Sequence, residues 1–330
     1  MKLVVSGIQP SGLIHLGNYL GAIKNWKTLQ SSSQSLFLIV DNHAITTSYF
    51  KATSGAEVSK DLKTSTYMTA ATLKSIGIKN FFIQSQVQEI LSLSWILSCM
   101  SPMSWFQKMT QFKEKKSALD GASLGIFSYP CLMASDILCF KGTDVPVGED
   151  QTQHLELAAD IAKRFNSLFG EFFPIPKANL SKFYSAQATR IMSLRDSTSK
   201  MSKSARSDLS RINLLDSQDL IRKKVAKAKT DSIPEVFYDE ARPELANLIR
   251  IYAEIKALNF EDAGKGWNDV TMFKDALCDA LVKELDPVRE RTLEIIDSDE
   301  LKMELRENAE RARHIAAKTL EEVNLLVGLR

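Results

Sequence analysis

Cysteine is scarce in this 330-residue chain, which has only Cys99, Cys131, Cys139 and Cys278. None form a C-x-x-C pair, and no histidine lies close enough in sequence to complete a zinc cluster, so no protein-held metal is expected. They read as reduced, mostly buried thiols in a reducing compartment. Long hydrophobic runs are missing as well. The longest apolar stretches fall far short of the roughly 20 residues that cross a bilayer. Met1 leads straight into Leu3-Val4-Val5 without the pattern of a secretory signal. No membrane association is expected, and the location expected is cytoplasmic, or an organellar matrix where a presequence has been removed. Charge of one sign is not in excess. The formal net charge is +2, which neither requires nor excludes a nucleic-acid partner; a local basic patch says more. Two common nucleotide motifs are absent too: the glycines do not fall as G-x-G-x-x-G, and no G-K-[ST] completes a P-loop. There is no internal repeat and no low-complexity linker.

What is present is a folded α/β pattern. Hydrophobic residues make up 44% and charged residues 25%, ordinary for a chain with a real core. Leu3-Val4-Val5-Ser6, Leu36 to Val40 and Asn80 to Gln84 read as short buried strands, and 57–76 reads as a helix between the last two. This strand–helix–strand rhythm predicts an α/β fold with a Rossmann-like, doubly wound parallel sheet. Residues 86–120 read as helices broken near Ser101-Pro102, and Val145 to Gly148 as a further strand end opening into a helix. From about residue 205 the pattern becomes helical, predicting an all-helical second domain, and 297–327 reads as one charged amphipathic helix. In such sheets the ligand lies beyond the carboxyl ends of the strands. Three of those ends carry polar groups, Ser6 to Gln9, Asp41 to His43, and Gln84.

Two segments point to phosphate chemistry. The first strand is followed by Gly7, Gly12, Gly17 and Gly21, with His15 and Asn18 beside the start of a helix. Glycines let backbone approach a ligand, and a helix start offers free N–H groups to an anion. Alone, this loop also fits a plain tight turn. The second segment is Lys200-Met201-Ser202-Lys203-Ser204, whose two lysines and small hydroxyls suit a polyphosphate leaving group. Alone, it also fits a solvated loop.

Together and in this order, the two segments resemble the paired signatures of the class I aminoacyl-tRNA synthetases. The resemblance extends to the bacterial-type tryptophanyl-tRNA synthetases. It runs through Ser6 to Gly12, Asp41 to Thr46, Met109 to Lys115, Tyr129-Pro130, Met133 to Leu138 and Val145 to Gln151, and covers the chain from end to end. It implies activation of L-tryptophan with ATP and magnesium, then transfer to the 3′-terminal adenosine of tRNA(Trp), by a homodimer. It also implies three parts: a nucleotide-binding catalytic domain over 1–204, a helical anticodon-binding domain over 205–296, and a terminal helix over 297–330 returning to the catalytic domain. The alternatives are a tyrosine-activating enzyme of the same fold and a non-catalytic RNA-binding paralogue.

The resemblance carries over residue by residue. Asp136 is the expected acceptor of the indole N–H, the one ring donor tryptophan offers. Tyr129, Met133, Val145, Val147 and Val5 would line the ring slot, with Gly7 and His43 nearby. Gln151 and Tyr129 would hold the amino group and Gln9 would lie near the carboxylate. ATP would be met by Gln9, Ser11, Gly12, Gly17, Asn18, Gly148 and Asp150. The chemical step would fall to His15, Asn18, Lys115, Lys200, Lys203 and Ser204. Two departures stand out: Ser135 takes the place of a small alanine often found beside the aspartate, and Val5 that of a larger aromatic. The basic run Arg222, Lys223, Lys224, Lys227 and Lys229 fits a tRNA-facing stripe and a solvated helix face equally well. Trp26, Trp95 and Trp105 read as packing or subunit interface.

Overall fold

The computed structural model describes residues 2–48, 54–110, 123–146, 148, 151–178, 190–203 and 205–329. Strand β1 (Leu3–Ile8) leads through a short helix α1 (Leu16–Asn18), a π-turn over Tyr19–Ile23 and helix α2 (Lys24–Ser32) to β2 (Gln34–Ile39). Helices α3 (Asp41–Ser48) and α4 (Gly55–Ile76) precede β3 (Phe81–Ile83). Then come α5 (Glu89–Met100), α6 (Met103–Gln107) and α7 (Leu124–Leu138), followed by β4 (Asp144–Val145), α8 (Thr152–Phe169) and β5 (Lys177–Ala178). The rest is helical: α9 (Gln218–Ala226), α10 (Pro243–Lys256), α11 (Phe260–Ala263), α12 (Val270–Ile295) and α13 (Asp299–Val327).

The five strands are parallel in the order β3-β2-β1-β4-β5, with Leu3 opposite Gln34 and Phe37 opposite Phe81. Period-two alternation divides each strand between two cores. Phe37, Ile39 and Phe81 face α2, α4 and the helical half, where Trp26 stacks on Phe37 at 4.5 Å. Val5, Leu38 and Phe82 face α5, α7, α8 and the inner stripe of α13. Sheets buried on both faces read as continuous apolar runs, which is why the first three strands were legible. Strand β5 is two exposed residues with no such run, and no sequence signal marked it.

The helix ends follow local chemistry. Ser54 caps α4 by accepting from the Glu57 N–H, and Gly77 closes it at φ 88°, a conformation glycine adopts without a Cβ penalty. Ser298 and Gly328 do the same for α13. Ser101 and Pro102 separate α5 from α6, as expected from the sequence. In the helical half, Tyr252, Trp267 and Phe273 meet edge to face at 5.5–5.7 Å. Helix α13 packs on β3 and α5, and Asn308 donates to the Phe81 carbonyl at 2.8 Å.

The basic run does not form one stripe. Lys224 is fully buried, with its ammonium 2.6 Å from both Asp208 and Asp216. Arg222 pairs with Asp279 at 2.8 Å and Lys229 with Glu244 at 3.1 Å. Trp95 is not core in this chain, being 72% exposed.

Candidate active site

Two polar corners form at the carboxyl ends of the strands. The first is built by the loop after β1. His15 has extended backbone and caps α1: its Nδ1 accepts from the Asn18 N–H at 3.3 Å, while the Asn18 Oδ1 accepts from the His15 N–H at 3.3 Å. This reciprocal box satisfies two donors of the helix start. It also fixes the tautomer, because an accepting Nδ1 leaves the ring proton on Nε2. His15 is buried, and burial first, then the charges of Lys203, Arg211 and Lys200, pushes its pKa down to about 3. The imidazole is therefore neutral at physiological pH and offers a neutral N–H donor.

Gly17 makes the corner compact. A Cβ there would stand 3.1 Å from the His15 ring and 3.5 Å from the Met201 Cβ. The buried Met201 anchors the lysine loop, its N–H donating to the Ile191 carbonyl at 3.1 Å. Lys203 reaches across, donating to the carbonyls of Gln9 and Gly12 at 3.2 and 3.3 Å. Its ammonium pKa is lowered to about 8 by burial. Gly12 has φ +107°, a conformation that favours glycine. Residues far apart in sequence, 9–18 and 200–203, thus share one positive corner. The loop is further tied to the helical half, since Leu16 N–H donates to the Ile212 carbonyl at 2.8 Å and Leu214 N–H to the Ile14 carbonyl at 2.9 Å.

The second corner lies between the ends of β2 and β3 and helix α7. Tyr129, Met133 and Asp136 lie at a spacing that puts them on one side of that helix. Asp136 is buried, and both its oxygens are engaged. Its Oδ2 lies 2.9 Å from His43 Nε2, and its Oδ1 accepts from the Gln84 amide at 2.6 Å. Burial raises the Asp136 pKa, opposed by the hydrogen bonds from His43 and Gln84. Gln84 is itself fully buried, and its Oε1 accepts from the Asn42 N–H at 3.2 Å. The Tyr129 hydroxyl bonds to His154 Nε2, its ring stands edge-on to His43 at 6.2 Å, and burial raises its pKa. His154 was not singled out from sequence, and Gln84 was named only as one of the polar strand ends facing the ligand. Gln84 had a signal, as the polar residue directly after an apolar strand.

The remaining candidates are placed as follows. Val5 and Val145 are buried in the core on the α7 side of the sheet. Gly7, next to the last residue of β1, has room for little else, since a Cβ would meet Val40 at 3.1 Å. Ser11 is exposed beside Gly12. The Gly148 carbonyl accepts from the N–H of Gln151, which opens α8. Lys200 is exposed and its segment bridges to Met192. Lys115, Val147, Asp150 and Ser204 lie outside the described residues. Ser135 beside Asp136 is fully buried, with no hydrogen-bond partner for its hydroxyl among the described residues.

Chemically, one corner offers cations and N–H donors to a polyphosphate, and the other a buried acceptor at the end of a partly apolar slot. Comparison with known proteins agrees with this arrangement. The family described as tRNA synthetases class I (W and Y) matches residues 2–265. The chloroplastic/mitochondrial tryptophan–tRNA ligase of Arabidopsis thaliana is 44% identical, over 99% of this chain and 83% of that protein. The tryptophanyl-tRNA synthetase of Mycoplasma pneumoniae superposes with a TM-score of 0.87 at 29% identity, covering 100% of this chain and 98% of that one. The Campylobacter jejuni enzyme, solved with ADP and tryptophan, gives a TM-score of 0.81 at 31% identity over 99% of each chain. The chain belongs to the class I tRNA synthetases for tryptophan and tyrosine, within their bacterial and organellar tryptophanyl branch.

Proposed function

We infer that the protein is a tryptophan–tRNA ligase: it joins L-tryptophan to AMP with release of pyrophosphate, then passes the aminoacyl group to the 3′-terminal adenosine of tRNA(Trp). The observation that carries the amino-acid choice is the buried Asp136 carboxylate, held by His43 and Gln84. A fixed, desolvated acceptor selects a ring that brings an N–H to it and penalises one that leaves it unpaired. In this reading Tyr129, Met133, Val145 and Val147 enclose the indole, with Val5 and Gly7 behind. Gln151, Tyr129 and Gln9 hold the amino-acid backbone.

ATP enters with magnesium as its counter-ion. His15 Nε2–H and Asn18 hold its phosphates, Ser11, Gly12 and Gly17 give it room, and Gly148 and Asp150 meet the ribose. A tryptophan carboxylate oxygen attacks the α-phosphorus, forming an O–P bond as the bond to the β-phosphate oxygen breaks, and pyrophosphate leaves. The attacking group is already an anion, so no general base is needed. Alignment and charge neutralisation by Lys115, Lys200, Lys203 and Ser204 supply the acceleration. Lys203 would exchange its two loop carbonyls for phosphate oxygens, which links loop movement to nucleotide arrival.

The domain roles follow the same reading: 1–204 does the chemistry, 205–296 docks the anticodon, and 297–330 braces the sheet. A homodimer would cover large apolar side chains that one chain leaves exposed, Trp95 at 72%, Met103 at 66% and Leu124 at 78%. The location in this reading is cytoplasmic, or an organellar matrix where a presequence has been removed. Among the described residues, no helix is long and apolar enough to cross a membrane. The test is charging of tRNA(Trp) transcripts with labelled tryptophan. Charging that needs ATP and magnesium is expected, and a folded protein that binds the tRNA but charges nothing would overturn the reading.

A further inference from the structure

A cavity of about 690 Å³ lies at the opposite end of the sheet from the candidate active site. It is bounded by Leu3 and Gln34, which open β1 and β2, and by Asn80 just before β3. Six-residue strands separate this end from the active-site loops by roughly 20 Å. The floor is apolar, with Leu36, Phe82 and Phe140, and one wall is the Ala312–Ile315 turn of α13. Its volume falls within the range typical of small-molecule sites.

The charge in its lining is one-sided: among the described residues it holds Lys141 and Arg311 and no acidic residue. Lys141 is already balanced, ion-paired to Glu322 at 2.9 Å and lying 4.0 Å over the Phe172 ring. Arg311 has no carboxylate within ion-pair distance among the described residues. Among those residues its guanidinium donates only to the Asn308 side chain, which in turn is fixed to the Phe81 carbonyl. One unbalanced, positioned guanidinium at the rim of an apolar cavity suits a single carboxylate on an apolar body. We propose that this cavity is a second ligand site, separate from the aminoacylation site, that takes a small aromatic or alicyclic monocarboxylate. The carboxylate forks onto Arg311, and the ring rests on Phe82 and Phe140 beneath Ile315.

The probe is 2-naphthoate, titrated calorimetrically into the full chain already saturated with tryptophan and a non-hydrolysable ATP analogue, so that the aminoacylation site is filled. Saturable one-site binding is expected. The neutral 2-naphthamide and the Arg311→Gln variant should each weaken it by roughly tenfold or more, as loss of a charge-assisted pair requires. Ile315→Trp, also at a solvent-exposed position, should obstruct the wall and reduce binding by a similar factor. Both variants should leave pyrophosphate exchange unchanged. No saturable binding to the filled enzyme, or equal binding of acid and amide, would overturn the proposal. So would equal binding by the parent and Arg311→Gln.

Discussion

Replacing Asp136 by asparagine tests the selectivity corner with little change of shape. In the parent, two oxygens accept from His43 and Gln84, at 2.9 and 2.6 Å, and still present lone pairs to a ligand. Asparagine has one acceptor oxygen. With it turned to Gln84, its amide faces His43, which must then accept. The indole N–H exchanges a charged acceptor for a neutral, shared one. A hydrogen bond to a charged group contributes about 1.5–3 kcal/mol and a neutral one about 0.5–1.5, so the loss is about 1–2 kcal/mol. That corresponds to a fall of about 5–30-fold in kcat/KM for tryptophan. Alanine should do more harm, because it orphans the buried Gln84 amide at about 1–3 kcal/mol, and its urea midpoint should drop where that of asparagine barely moves. The assay is steady-state pyrophosphate exchange beside urea unfolding. Because burial raises the Asp136 pKa, the parent should also lose kcat/KM on acidification at a higher pH than an ordinary carboxylate would. The asparagine variant should lack that limb. A folded asparagine variant with kcat/KM within about twofold of the parent would refute the reasoning, since even a loss of about 1 kcal/mol exceeds that change.

Three further outcomes are expected. Lys203, held near 8 by burial, should regain its proton on meeting a triphosphate. ATP binding near pH 8.5, above that pKa where much of the amine is unprotonated, should thus take up a proton, seen by calorimetry in buffers of different ionisation heat, and Lys203→Met should abolish the uptake. His15 is pushed from 6.5 down to about 3, so the unfolded chain binds the extra proton and stability should fall as pH drops through that window. His15→Gln should flatten this slope in urea titrations across the same range. Lys224→Met leaves the buried Asp216 without its cation and should cost about 3–5 kcal/mol of unfolding free energy, whereas Lys223→Met, on the exposed side of the same helix, should change stability little.

The sheet, its parallel sense and the two signature loops were legible because each has a local cause. Apolar runs mark strands buried on both faces, and glycines with His15 and Asn18 mark a capped helix start facing a ligand. Tyr129, Met133 and Asp136 were legible only through the family resemblance; that they share one side of α7 is a finding of the structure. What escaped depends on partners distant in sequence. Lys224 reads as one more cation in a basic run until folding brings Asp208 and Asp216 to it. Gln84 reads as a polar strand end, but its bond to Asp136 exists only where β3 and α7 meet. The resting contact of Lys203 with Gln9 and Gly12 spans most of the catalytic half, and no pattern within either loop foretells it. Trp95 shows the reverse limit: the sequence leaves packing and subunit interface open for it, and only its exposure in one chain removes the first.

The most direct test of the central claim is ATP–pyrophosphate exchange with each standard amino acid in turn, with magnesium and without tRNA. The account predicts exchange with tryptophan and none with tyrosine beyond background. Exchange driven by tyrosine would contradict the role given to Asp136. A folded enzyme that exchanges with no amino acid would contradict the adenylate chemistry itself.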